Sequence, residues 1–193
     1  RLNSGQSGPA IDSMATLFAQ NPSRIDLGFT LTFAYLRAGQ FDAALAIANQ
    51  LVAADNTNIS YLNLLGMTQY HSGNLERASN TFLKLLETDP DFQPSRLNLT
   101  RVRIAQGRYS DARNNLEKML KDTPSDGNVM LEQARLEQIE GNVDDARRWA
   151  KSAVEELNNE LEPRIFLLEL YLKQGDSDEA ERLARDTVTV FNE

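Results

Sequence analysis

The chain has 193 residues, of which 41% are apolar and 25% charged, with a formal net charge of −8. That composition excludes the disordered and membrane-spanning classes, since the apolar runs are only a few residues long, and no signal peptide is visible. Lys and Arg are scattered among more numerous Asp and Glu, which argues against a nucleic-acid partner, and the absence of cysteine removes disulfides, thiolate metal sites and thiol nucleophiles together.

Taken in chain order, the residues repeat. Gly39, Gly73, Gly107, Gly141 and Gly175 lie 34 residues apart, and each is followed five residues later by alanine: Ala44, Ala78, Ala112, Ala146 and Ala180. Gly5 and Ala10 extend both series backwards. Pro22, Asn56, Pro90, Pro124 and Asn158 form a third series with the same spacing. Three series in phase over five periods define a repeat architecture.

Each period predicts two helices. In the second period Tyr61, Leu62, Leu64, Leu65 and Met67 form one apolar helical face, and Leu75, Ala78, Phe82, Leu85 and Leu86 form another. Gly73 falls between them, where a left-handed residue ends a helix most cheaply. Asn74, Asn142 and Asp176 follow their glycines and are predicted N-caps, with Asp176 and Glu179 as a capping box. The alanines are predicted at close helix crossings, where only a small side chain lets two backbones approach. Acids precede cations by four residues in Glu117–Lys121, Asp144–Arg148, Asp178–Arg182 and Glu181–Arg185, which predicts exposed ion pairs.

This pattern resembles the tetratricopeptide repeat. The second period carries its marks as Leu65-Gly66, Gly73, Leu75, Ala78, Phe82 and Pro90, and the third as Gly107, Tyr109, Ala112 and Pro124. Thr100 and Ala134 stand where the second period has Gly66, and Leu168 is large for that place. The resemblance implies an all-α fold, a right-handed superhelical solenoid of antiparallel helix pairs. The array is expected as 25–58, 59–92, 93–126, 127–160 and 161–193, with residues 1–24 as the second half of a preceding repeat. The chain is expected to be a piece of a longer array, with sticky end faces that continue into further repeats or self-associate.

Some segments resemble a narrower group, the tetratricopeptide-repeat lipoproteins of the bacterial PEP-CTERM/exosortase system: LNLLG at 62–66, DPDFQPSRLNL at 89–99, LEPR at 161–164 and YLKQGD at 171–176. That resemblance implies a role in the cell envelope, in exopolysaccharide export or the sorting of tagged proteins, in the periplasm or at the outer membrane. Any lipid anchor would lie outside this stretch. A cytoplasmic location is the alternative.

Little in the chain points to chemistry. His71 is the sole histidine; it has neither a nucleophile elbow nor a cysteine to work with, and it reads as a residue favoured by the dipole in the last turn of a helix. The glycines are isolated, without a phosphate-cradling motif, and the acids lack the alternation of a calcium loop. No catalytic residue, cofactor or metal is expected. Trp149 reads as a packing residue that fills space beside Ala150 and Ala153.

A ligand is expected on the concave surface lined by the first helices of the repeats. In the family's phase the second, fifth, ninth, twelfth and thirteenth residues of each repeat face that groove, with the sixth adding Asn98. Phe29, Leu97 and Leu131 read as core between repeats. The candidate groove residues are Phe33, Arg37, Asn63, Met67, Tyr70, His71, Asn98, Arg101, Arg135 and Gln138, with Arg101 and Arg135 expected side by side. Aromatic anchors with arginines suit a peptide or protein ligand. Phe29 and Phe33 stand where chaperone-tail clamps of the family carry polar residues, which argues against that ligand. The expected function is a non-enzymatic protein–protein interaction scaffold. Two alternatives remain open: a regulatory array attached to an enzyme domain elsewhere, and a saccharide-binding envelope solenoid.

Overall fold

The structure is a computed structural model that describes residues 8–192; Gly5, the start of the glycine series, lies outside them. Eleven α-helices run through the described residues: α1 (Pro9–Gln20), α2 (Ile25–Arg37), α3 (Phe41–Ala54), α4 (Ile59–His71), α5 (Leu75–Thr88), α6 (Gln93–Ala105), α7 (Tyr109–Asp122), α8 (Gly127–Glu140), α9 (Val143–Glu156), α10 (Leu161–Gln174) and α11 (Ser177–Asn192). No strand occurs among the described residues. The chain divides into two compact units, residues 1–106 with α1–α6 and residues 107–193 with α7–α11. The division falls inside the third expected period.

In the first unit each helix packs against the next, and α4 also touches α2 and α6. Enclosed by these neighbours, α4 is buried around most of its circumference at Tyr61, Leu62, Leu64, Leu65, Gly66, Thr68 and Gln69. The single apolar face expected of it is therefore too narrow a description. Its polar groups are satisfied internally: Thr68 Oγ1 donates to the Leu64 carbonyl at 2.8 Å, and Gln69 Oε1 accepts from Thr81 Oγ1 at 2.7 Å. By contrast α5 buries one stripe, Ala78, Ser79, Phe82 and Leu85. The Phe82 ring lies over Gly66, where an added Cβ would sit 2.5 Å from Phe82 Cε1. Thr100 and Ala134, the larger residues at the equivalent places, are both fully buried, and Thr100 hides its hydroxyl by donating to the Arg96 carbonyl at 2.9 Å.

The turn at Gly73 shows why the period needs glycine there. Its φ is +76°, its N–H donates to the Tyr70 carbonyl at 3.0 Å, and the Asn74 N–H donates to the Gln69 carbonyl at 2.9 Å. Two otherwise orphaned helix carbonyls are thereby satisfied. All five in-phase glycines have φ between 71° and 83°. The alanines five residues on are buried, with 0% exposure at Ala44, Ala78, Ala112 and Ala146 and 4% at Ala180. Ala10 departs from that series, being exposed.

The predicted caps at Asn74 and Asn142 are corrected. Asn74 and Asn142 make no side-chain cap; Asn142 Nδ2 instead donates to Glu137 Oε2 at 2.7 Å. Asp176 also pairs with Arg147, and Glu179 with Arg182. Side-chain caps form on two first helices. Asn58 Oδ1 accepts from the N–H groups of Ser60 and Tyr61, and Asp126 Oδ1 from those of Asn128 and Val129. Two of the expected ion pairs also shift by one residue: Arg148 pairs with Asp145 and Arg182 with Glu179, three positions back, whereas Glu181 pairs with Arg185 as spaced.

In the second unit one core cluster comprises Met130, Leu131, Ala134, Ala146, Ala150, Ala153, Phe166, Leu167, Leu170, Tyr171 and Ala180, with Trp149 packed against it. Here α8 buries charge as well as apolar surface, at Glu132, Gln133 and Glu137. Glu137 accepts from Arg113 on α7, from Gln133 Nε2 at 2.7 Å and from Asn142 Nδ2. Arg113 also reaches Glu140. Arg164, 6% exposed, pairs with Asp186 of α11. Apolar side chains remain exposed on α10 at Leu161, Ile165 and Leu172 and on α11 at Val188 and Phe191.

Candidate functional site

Three first helices of the first unit, α2, α4 and α6, present the same register positions to one another. The ninth residue of each expected repeat is Phe33 on α2, Met67 on α4 and Arg101 on α6. Phe33 is 43% exposed, and Met67 and Arg101 are half-buried. Hydrogen bonds link two members of this row, Met67 and Arg101. Asn63 Nδ2 lies 3.7 Å from Met67 Sδ, while Asn63 Oδ1 accepts from Ser95 Oγ at 3.0 Å and from Asn98 Nδ2 at 3.2 Å. Asn98 Oδ1 in turn accepts from Arg101 Nη1 at 3.2 Å. A side-chain chain thus runs Met67, Asn63, Asn98, Arg101 from α4 to α6.

Tyr70 and His71 close the patch. Met67 and Tyr70 pack onto the buried cluster of Ala78, Phe82, Leu99 and Val102. His71 sits at the exposed end of α4 with its ring edge-on to Tyr70 at 5.3 Å. Burial first, and the positive charge of Arg101 second, push the His71 imidazole below its ordinary range. Arg37 stands exposed in the last turn of α2. Phe29, read as core, is partly buried, packed against the cluster of Leu51, Tyr61 and Leu64, with its ring 5.6 Å from that of Tyr61.

The two remaining candidates lie in the second unit. Arg135 Nη2 donates to Glu162 Oε1 at 2.6 Å, Glu132 lies 3.8 Å from its Nε, and its guanidinium stacks 5.4 Å from the Phe166 ring centre. Its charge is matched inside the unit, so a ligand carboxylate would have to compete with Glu162. Gln138 lies half-buried one turn further along α8. Leu97 and Leu131, read as core, are 8% and 2% exposed.

Sequence reasoning passed over Ser95, fully buried and the second donor to Asn63. It also passed over a charge contrast. Helices α2, α4 and α6 carry four arginines and one acid, Asp26, a net charge of +3. Helices α8 and α10 carry five glutamates against three cations, a net charge of −2. Among the described residues no group of three metal-ligating side chains forms, and no helix is long and apolar enough to cross a membrane.

Helix pairs joined by left-handed glycines at a fixed period of 34 residues define a helical-repeat scaffold, a class whose work is protein–protein interaction. The tetratricopeptide repeat profile matches residues 3–68 and 69–136, and a second profile of the same description matches residues 161–186. The chain belongs to the tetratricopeptide repeat family.

Solved structures show the same fold. A thermophilic tetratricopeptide repeat protein of Thermus thermophilus is similar with a TM-score of 0.71 at 19% identity, over 86% of this chain and 91% of that one. A tetratricopeptide repeat protein of Parabacteroides merdae gives a TM-score of 0.65 at 22% identity, over 95% and 72%. PilW, a type IV pilus biogenesis factor, gives 0.69 at 17% identity, over 96% and 86%. No curated protein matches the chain.

Proposed function

We propose that the chain is a non-enzymatic scaffold that holds a segment of a protein partner against α2, α4 and α6. The observation that supports this reading is the side-chain chain from Met67 through Asn63 and Asn98 to Arg101. It orients polar groups on α4 and α6 before any ligand arrives, and Phe33 stands exposed on α2. Prior orientation lowers the ordering cost of binding. The resemblance of 62–66 and 89–99 to the PEP-CTERM-associated repeat proteins supports a place in the bacterial envelope, in exopolysaccharide export or protein sorting. Self-association through the exposed apolar residues of α10 and α11 belongs to the same proposal.

Photo-crosslinking in living cells tests the groove. A benzoyl-phenylalanine at Tyr70 is expected to crosslink one protein partner, and the same residue at exposed Lys84 on α5 is not. Equal crosslinking from both positions would overturn the assignment of the face. Cell fractionation of the native protein tests its compartment: recovery in the cytoplasm alone would remove the envelope role.

A further inference from the structure

We infer that the chain has a second docking surface, a cleft among α9, α10 and α11, which takes an apolar side chain of a partner protein with a Lys or Arg beside it. A separate set of residues carries this inference, so the reading of α2, α4 and α6 stands or falls without it.

The cleft encloses about 370 Å³. Its floor is Leu167 and Tyr171 of α10, both nearly buried, and its walls include Val154 of α9 and Leu183 of α11. Val154 and Leu183 pack against the core cluster of this unit yet are only partly buried. Ligand sites span about 300–1,000 Å³, so this volume suits one or two side chains better than a whole cofactor.

The rim is polar, and most of its charge is already engaged. Arg182 lies 2.6 Å from Glu179, and Asp186 pairs with the buried Arg164. The Lys151 ammonium sits 5.8 Å from the centre of the Tyr171 ring. Glu155 is the exception: it is exposed and, among the described residues, has neither an ion pair nor a hydrogen bond. It stands in the last turn of α9 beside Glu156, and that turn holds no cation. A helix carries partial negative charge at its C-terminal end, which disfavours acids there and favours a cation. A Lys or Arg supplied by a partner at this rim therefore meets an uncommitted carboxylate, while the neighbouring apolar side chain covers Leu167, Tyr171 and Leu183.

The wider charge distribution selects the same occupant. Residues 1–106 hold eight cations and eight acids, so the whole excess of −8 resides in residues 107–193. A basic segment complements this unit, whereas the same unit of a second copy is equally acidic and does not.

Methyl-resolved NMR on the whole chain tests the cleft with six-residue peptides, N-acetylated and C-amidated. Each carries one Leu beside one Lys in a Gly/Ser background, with analogues bearing Gln or Glu for the Lys. The Leu–Lys peptide is expected to shift the methyl signals of Val154, Leu167 and Leu183. The Gln analogue should bind about two- to fivefold more weakly and the Glu analogue more weakly still, and the difference between Lys and Gln should shrink as salt is raised. Glu155→Gln should make the Lys and Gln peptides bind alike. Lys151→Gln, which removes a like charge from the rim, should tighten the Lys peptide. Leu183→Ala should weaken both peptides to the same degree, with circular dichroism confirming that the variant is folded. Equal binding of the Lys and Gln peptides to the unaltered chain, tighter binding of the Glu peptide, or no shift at these methyls would overturn the inference. So would shifts of the same methyls on raising the protein concentration alone, which would make a second copy the occupant. None of these outcomes bears on α2, α4 and α6, whose own signals, the Met67 methyl among them, are read in the same spectra.

Discussion

Asn63 and Asn98 join two first helices side chain to side chain, Asn98 Nδ2 donating to Asn63 Oδ1 at 3.2 Å. Asn98 is only 9% exposed, so its amide has little access to water as a substitute partner. Replacing it with Leu removes a donor to Asn63 and the acceptor for Arg101 together. Asn98→Leu is expected to lose about 1–3 kcal/mol in urea unfolding. A double-mutant cycle with Asn63→Leu should show coupling of about 0.5–1.5 kcal/mol. Additive losses would mean that the bond contributes nothing of its own.

The contact between Gly66 and Phe82 leaves no room for a methyl group. Gly66→Ala brings a Cβ within 2.5 Å of a ring that is itself fully buried. Despite the better helix propensity of alanine, the variant should lose about 1–3 kcal/mol from overpacking. Ala78→Leu, in the fully buried cluster with Phe82, Leu99 and Val102, should lose a similar amount. A thermal melt at or above that of the unaltered chain would show that Phe82 moves aside freely.

In the second unit Arg113 neutralises the buried Glu137. Arg113→Met leaves that carboxylate with only the neutral donors Gln133 and Asn142 and should cost about 1–3 kcal/mol. The hydrogen bond from Arg113, more than any other influence, holds the Glu137 carboxyl below its ordinary value. The stability this confers is present above the usual carboxylate range and is lost as pH falls through the lowered value. Arg113→Met should therefore show a smaller loss of Tm between about pH 5 and pH 3 than the unaltered chain.

His71 offers a cleaner titration, being the only histidine. Its imidazole is held below its ordinary 6.5, so the folded chain resists the proton that the unfolded chain accepts. The stability tied to the neutral ring is complete above pH 6.5 and is lost as pH falls through the lowered value. His71→Gln should lose less Tm than the unaltered chain between about pH 7.5 and pH 5. An identical loss in the two proteins would remove His71 as the cause.

The helix pairs were legible in the sequence because glycine at φ near +75° and alanine at a crossing admit few substitutes, so the period survives in residue type. The caps were misplaced for a geometric reason. Asn74 follows a left-handed glycine with its own N–H already bonded to the Gln69 carbonyl, and its backbone, at ψ 61°, does not aim the side chain along the helix. Asn58 and Asp126 end longer links with extended backbones, at ψ 113° and 98°, from which the side chain reaches two N–H groups. The buried charge of α8 was illegible because Glu and Gln at helical spacing read as a solvated face. Only Arg113, 24 residues before Glu137, reveals otherwise. For the site, register placed Asn63, Met67 and Arg101 on one face. The contacts that link them, through Asn98, span 3.2 to 3.7 Å, separations that no spacing rule encodes.

The concentration of negative charge beyond residue 106 bears on how a partner arrives. At about 0.01 M salt, where fields reach roughly 30 Å, the excess of −8 draws basic partners toward residues 107–193 and turns acidic ones away. At about 0.15 M salt the reach shrinks to roughly 8 Å, and only groups in near contact are discriminated by charge.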